Sequence, residues 1–142
     1  MGDHWQDPEL VWDFLAEAEE HLDRVDEALL ELDKWNTERD KASVQEALRG
    51  LHSIKGTAGY VALLDIQELC HASESLLHGL ELAPDGGRER LDLAFDGISV
   101  LRERLDEVRN CCQADRSLTP STKVSEFLER ANTPVVVAPP AR

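Results

Sequence analysis

The chain has 142 residues, enough for one compact domain with its own core and a short extension. Its formal charge is −14, and residues 1–40 hold 14 acidic against 3 basic side chains. Nucleic acids and anionic membranes attract clustered Lys and Arg, so this balance argues against both as partners. Three cysteines in no metal-binding spacing, with no signal peptide or transmembrane run, make a reducing cytoplasm the simplest location.

The first predicted element is a long amphipathic helix. Asp7-Pro8-Glu9 is typical of a helix start, with an Asp cap, proline at the first helical position and an acid in the first turn. Apolar residues then recur at three- and four-residue steps to about Lys34, and Asn36 and Thr37 end the helix. Its predicted core positions are Val11, Phe14, Leu15, Ala18, Leu22, Val25, Leu29 and Leu32.

Two further helices are predicted from about residue 40 to 60 and from about 65 to 82, with Asp65 as the cap of the second of these. The apolar stripe of the first consists of Val44, Ala47, Leu48, Leu51, Ile54 and Ala58. The inward positions of the second are Ile66, Leu69, Cys70, Leu76, Leu77 and Leu80.

After a turn at Pro84-Asp85-Gly86-Gly87, a fourth helix carries the same periodicity, at Leu91, Phe95, Ile98, Leu101, Leu105, Val108 and Cys112. One of Cys111 and Cys112 is expected to pack and the other to be exposed. Residues 120–131 predict a short helix with Val124, Phe127 and Leu128 on one side. The sequence therefore predicts an all-α, antiparallel four-helix bundle over residues 1–112, a short C-terminal helix within 113–131 and a Pro-rich linker or tail over 132–142.

A histidine on the second helix stands out from this pattern. At about 100° per residue, His52 points about 110° from the middle of the apolar stripe, so it is predicted at the solvent-reachable border of the core. Gly56 and Gly59 follow in nearly the same direction, although each glycine costs a helix about 1 kcal/mol relative to alanine. We interpret them as clearance that lets another protein's active site close over the imidazole. Lys55, one turn along, would place an ammonium beside an anion attached there.

The spacing H-x-x-K-G with a second glycine three residues on resembles the histidine phosphotransfer (Hpt) domains of bacterial two-component signalling, and most of all those at the amino terminus of CheA-type chemotaxis kinases. The likeness continues through residues 66–77, where His71 and Glu74 lie three apart. Ala62 departs from the family, which commonly has glycine there, and we expect this methyl group to change local packing only.

The resemblance implies a phosphoryl relay in which Nε2 of His52 is the phosphoacceptor and Lys55 screens the phosphate as a point charge. Glu74 would orient the imidazole by accepting a hydrogen bond from its other nitrogen, and His71 would hold Glu74 or the incoming phosphoryl group. The implied partners are a kinase ATP-binding domain, which would hold ATP and Mg²⁺, and a response-regulator receiver domain. The chain itself is expected to need no cofactor or metal and to be a monomer.

Other hypotheses remain open. The chain could be the excised domain of a CheA-like kinase, which its Pro-rich end favours, or a free-standing relay protein. A purely structural bundle, and a carboxylate-bridged metal bundle with one reversed His-x-x-Glu pair, are the rivals from other classes. Receiver specificity is predicted to depend on the surface around Gln45, Arg49 and Gly56, and His78 is interpreted as structural.

Overall fold

The computed structural model describes residues 5, 7–35, 41–82 and 87–133, and these form five helices. They are α1 (Pro8–Trp35), α2 (Lys41–Tyr60), α3 (Leu64–Leu82), α4 (Gly87–Gln113) and α5 (Thr122–Asn132). Each of the first four packs on the next, and α1 also packs on α4, which closes the bundle. The predicted all-α bundle with a short fifth helix is confirmed. The predicted breaks at Asn36 and Thr37 and at residues 84–86, and most of the Pro-rich tail, lie outside the described residues.

The start of α1 has the predicted cap, because the Leu10 amide donates to Asp7 Oδ1 at 3.3 Å. All eight predicted core positions of α1 are buried. Each of the Val, Leu and Phe side chains among them contributes about 1.5–3 kcal/mol when fully buried. No helix among the described residues is long and apolar enough to cross a membrane.

Two predictions about the edge of the core on α4 are wrong. Phe95 is only half-buried, since it lies about 100° around α4 from the middle of the buried stripe. Cys111 and Cys112 are both buried, at 9% and 7% exposure. Close to this end of α4, Trp5 packs against the core and donates Nε1–H to the Arg116 carbonyl at 2.8 Å.

The corner between α2 and α3 is a Schellman turn. The Ala62 amide donates to the Gly59 carbonyl at 3.2 Å and the Leu63 amide to the Ala58 carbonyl at 2.9 Å. This turn places Ala62 at φ 60°, in the left-handed region that favours glycine. The alanine at this position therefore has a backbone cost of about 1–2 kcal/mol, beyond the local packing change expected from the sequence.

Asp65 lies in the first turn of α3 rather than at its cap, since the helix begins at Leu64. One oxygen of Asp65 accepts from the Ile66 amide at 2.9 Å, and the other accepts from Arg104 Nε at 2.6 Å. The Arg104 side chain is only 4% exposed and also donates to the Thr119 carbonyl at 2.7 Å. A buried arginine on α4 thus fixes the start of α3 and the connection that leads into α5.

The fifth helix packs on α3 and α4 through its buried residues Val124 and Phe127. It begins two residues later than predicted because Ser121 is its cap and accepts from the Val124 amide at 3.3 Å. Leu128, the third predicted apolar contact, is half-buried.

Candidate functional site

His52 lies on the border of α2 that faces α3. Leu51 and Ile54, on either side of it in sequence, are buried, whereas the His52 side chain is 75% exposed. On the opposite border Gly50 lets α1 approach closely, since a Cβ there would lie 2.6 Å from Val25 Cγ2. The buried stripe and this glycine hold α2 against the bundle, so the histidine is presented on a rigid element.

A carboxylate from α3 lies beneath the imidazole. Glu74 has a side chain only 11% exposed, and its Oε2 is 3.7 Å from His52 Nδ1. That distance is longer than a hydrogen bond. It places the Nδ1 edge of the ring toward the carboxylate and the opposite, Nε2, edge away from it.

Lys55 is the closest partner of this carboxylate. Its Nζ lies 2.8 Å from Glu74 Oε1, although without the angles of a hydrogen bond. The Lys55 side chain is 25% exposed, so its stem is covered by the bundle and its ammonium is at the edge of the site. A buried carboxylate is costly without a countercharge, and Lys55 supplies that charge one helical turn from His52.

The two glycines of the motif have different surroundings. A Cβ on Gly56 would meet nothing within 4 Å, so the surface one turn from His52 is open. A Cβ on Gly59 would lie 2.6 Å from Gln67 Nε2 of α3. The space at Gly56 is therefore open to solvent, whereas Gly59 makes room for a side chain of the same molecule.

The polar side chains of α3 near the site make separate contacts. Glu74 faces His52, Gln67 covers Gly59, and the exposed His71 lines a shallow groove of about 480 Å³ together with Lys55 and Gln67. His71 and Lys55 thus line the same groove. The contact of Gln67 with Gly59 and the burial of Arg104 were not predicted, since each depends on which face of a neighbouring helix is opposite.

Cys70, one turn before Glu74, lies under the site. It is fully buried, as predicted, and burial together with the negative charge of Glu74 raises the pKa of its thiol well above the ordinary value. The thiolate is the reactive form of cysteine, so this side chain is a packing residue rather than a nucleophile. Among the residues that the structure describes, no three His, Cys, Asp or Glu side chains come together as metal ligands.

A helical bundle that exposes one imidazole edge, with the other edge toward a lysine-paired carboxylate, defines a module that can carry a group on a histidine nitrogen. The Hpt domain family model matches residues 9–111, so the chain belongs to the Hpt domain family. An Hpt domain is a phosphotransfer module and not itself a catalytic domain.

The chain is also similar to curated chemotaxis proteins. It is 33% identical over 111 residues to the chemotaxis protein CheA of Halobacterium salinarum, and 31% identical over 101 residues to CheA of Treponema pallidum. These alignments cover 75% and 69% of this chain but only 16% and 12% of the relatives. The chain therefore spans a small part of the length of the proteins it matches.

A solved structure agrees with these matches. The solution structure of the histidine phosphotransfer domain of CheA superposes with a TM-score of 0.70 and 27% sequence identity, over 87% of this chain and 89% of that one. The similarity thus extends over almost the whole of that domain.

Proposed function

We propose that this chain is the phosphotransfer domain of a CheA-like chemotaxis kinase, with His52 as the phosphoacceptor. The observation that carries the proposal is the placement of His52: its ring is largely exposed, and its Nδ1 lies on the side of the buried Glu74 carboxylate. Membership of the Hpt family and the similarity to CheA support histidine phosphotransfer in chemotaxis signalling. A free-standing relay protein would use the same site.

The chemistry consists of two in-line displacements. In the first, the Nε2 lone pair attacks the γ-phosphorus of ATP, a P–N bond forms, the bond to the bridging oxygen breaks, and ADP leaves. In the second, a receiver aspartate oxygen attacks the same phosphorus and the P–N bond breaks, which returns neutral imidazole. Because phosphoryl transfer needs little covalent chemistry from the protein, positioning and charge compensation carry the catalysis.

Glu74 and Lys55 have complementary roles in this scheme. A proton on Nδ1 leaves the lone pair on Nε2, and the Glu74 carboxylate favours that tautomer and stabilises the positive charge that the ring gains on phosphorylation. Lys55 offsets the carboxylate in the free state and is close enough to the ring to lower the electrostatic cost of a phosphoryl group there. His71, in the adjacent groove, would bind the phosphoryl oxygens or water near them.

The remaining components would come from partners. ATP and Mg²⁺ would be held by a kinase ATP-binding domain, and the receiving aspartate would belong to a response-regulator receiver domain. We place these reactions in the cytoplasm, where the nucleotide is available, and expect the isolated domain to be monomeric.

The test is transfer of labelled phosphate through the chain. A CheA-type kinase core with [γ-³²P]ATP should label the wild-type chain, and addition of a receiver domain should remove the label. His52→Gln should take up no label. His78→Gln, which changes an exposed histidine on α3, should be labelled like the wild type. Equal labelling of His52→Gln and wild type would refute the assignment. A folded wild-type chain that no donor labels would favour a purely structural bundle.

A further inference from the structure

Three helices meet behind the turn of α3 that carries Glu74. Gly97 of α4 has no side chain, and a Cβ there would lie 2.6 Å from Ser73 Oγ of α3 and 2.7 Å from Phe127 Cζ of α5. Ser73 and Phe127 are each only 1% exposed. The ring of Phe127 and the hydroxyl of Ser73 thus share the space that Gly97 leaves open, and Ser73 is the residue immediately before Glu74 in the chain.

These two neighbours on α3 face different helices. Successive residues of a helix point about 100° apart. Ser73 faces α4 and α5, whereas Glu74 faces α2, where its Oε2 is 3.7 Å from His52 Nδ1. Farther out, Leu128 of α5 lines the same groove as His71 of α3. This stretch of α3 is therefore held between α2 on one side and α5 on the other.

The hydroxyl of Ser73 makes the packing of α5 important at this point. Ser73 Oγ is buried and has no hydrogen-bond partner among the described residues. A buried polar group without a partner is costly, and water binds such a group wherever the space beside it is large enough. The Phe127 ring occupies that space. Loss of the ring would open a cavity next to the residue that precedes Glu74.

We propose that Phe127 is a positioning residue for phosphotransfer: by filling the space at Gly97, it fixes the turn of α3 that holds the Glu74 carboxylate toward His52. This inference rests on the proposed function. Among the described helices α5 packs on α3 and α4 alone, so it acts on the imidazole through α3.

The expected effect follows from how cores respond to lost volume. When a buried aromatic ring is removed, its neighbours relax partly into the cavity, and here the turn of α3 would move toward α5. Such a movement lengthens the 3.7 Å separation between Glu74 Oε2 and His52 Nδ1. A more distant carboxylate favours the proton on Nδ1 less, which leaves the lone pair on Nε2 in a smaller fraction of molecules.

The ring can be changed while the rest of the bundle stays folded. The helix α5 has 11 residues, and an isolated helix of that length is marginal in water, so α5 depends on its packing. The other four helices close on one another without it, because α1 packs on both α2 and α4. A substitution at Phe127 should therefore loosen α5 before it unfolds the domain.

The test compares Phe127→Ala and the milder Phe127→Leu with Leu32→Ala, each in the full chain. Leu32 is a matched control because it is also fully buried but lies on α1, which packs on α2 and α4 and not on α3. Circular dichroism checks the fold of each variant. The first quantity measured is the fraction of neutral His52 with its proton on Nδ1, from ¹⁵N NMR of the ring nitrogens. The second is the rate of loading from phosphoramidate, which needs no docking partner.

Phe127→Ala should lower the Nδ1-protonated fraction and slow loading by about threefold to tenfold, a part of the roughly hundredfold that a misplacement of 1 Å can cost. Phe127→Leu should change both quantities less and in the same direction, and Leu32→Ala should match the wild type. In a Glu74→Gln background, Phe127→Ala should slow loading by less than about 1.5-fold, because the carboxylate through which the ring acts is gone.

Wild-type values of both quantities in folded Phe127→Ala overturn the proposal, and Phe127→Leu decides in the same way if the alanine variant unfolds. An equal loss in the Glu74→Gln background, or in Leu32→Ala, also overturns it, since the ring would then act through overall stability. Failure of the wild-type chain to load at all would instead overturn the proposed function. The ¹⁵N measurement needs no phosphate, so it tests the position of Glu74 in either case.

Discussion

Replacing Gly56 with alanine should make the protein more stable and a poorer phosphodonor. Alanine is favoured over glycine by about 1 kcal/mol inside a helix. The added Cβ would meet nothing within 4 Å, so no clash offsets that gain. We therefore expect the free energy of unfolding to rise by about 1 kcal/mol and the midpoint of thermal unfolding by about 3–5 °C for a domain of this size.

The same methyl group stands on the surface that a partner must cover to reach His52. An extra methyl in a well-packed contact costs about 1–3 kcal/mol, which corresponds to roughly 5- to 150-fold in transfer to a receiver domain. Loading from phosphoramidate should stay at the wild-type rate, since a small donor needs no docking surface. Circular dichroism in urea measures the first effect, and label transfer from loaded protein measures the second.

Gly59→Ala is the matched control for this prediction. Its Cβ would lie 2.6 Å from Gln67 Nε2, so the Gln67 side chain must move and the stability gain should be smaller. Transfer should be close to wild type, because this position is covered by the same molecule. A destabilised Gly56→Ala would contradict the open surroundings of Gly56, and wild-type transfer by a stabilised Gly56→Ala would refute its role as clearance.

Three further predictions concern residues around the site. Lys55→Met should lower the free energy of unfolding, measured by urea titration, by about 1–3 kcal/mol, because the buried Glu74 carboxylate loses its countercharge. The double variant Lys55→Met/Glu74→Gln should recover most of the lost stability. A double variant as unstable as Lys55→Met would argue against the ion pair between Lys55 and Glu74. Ala62→Gly should raise the free energy of unfolding by roughly 0.5–1 kcal/mol. Glycine relieves the cost of the left-handed conformation, but its greater freedom in the unfolded chain offsets part of that gain. A lower free energy of unfolding would contradict the left-handed backbone at this position. Burial raises the pKa of the Cys70 thiol in the folded state, so just above the ordinary value of 9.0 this thiol ionises only in the unfolded chain. The free energy of unfolding should therefore fall between pH 8 and 10, by up to about 1.4 kcal/mol per pH unit more in wild type than in Cys70→Ala. Parallel curves for the two proteins would refute this.

Periodicity was sufficient to predict the helices because each has one buried stripe. The eight core positions of α1 and the six of α2 are all buried, and the predicted ends of α1 and α2 lie within about one residue of those observed. Capping chemistry was less decisive, since Asp65 has the side chain of a cap but binds Arg104 from within the first turn. Residues at the edge of a stripe, such as Phe95, depend on how far the next helix extends, and a single helix does not contain that information.

The centre of the site could be predicted from the sequence, whereas its surroundings could not. The spacing of His52 and Lys55 on one helix fixes their proximity, and antiparallel packing brings Glu74 opposite them. The partner of Gly59 and the position of His71 depend on the register between α2 and α3, which the corner at Ala62 sets. That corner adopts a glycine-like conformation with alanine, so local preference alone would not have predicted it.

The most direct test of the central claim is ³¹P NMR of the phosphoramidate-treated chain, with His52→Gln alongside. The proposed function predicts one acid-labile phosphohistidine resonance in the wild type, coupled to the Nε2 nitrogen in ¹⁵N-histidine-labelled protein and missing from His52→Gln. A resonance that persists in His52→Gln, or phosphate on another side chain, would contradict the assignment of His52 as the phosphoacceptor.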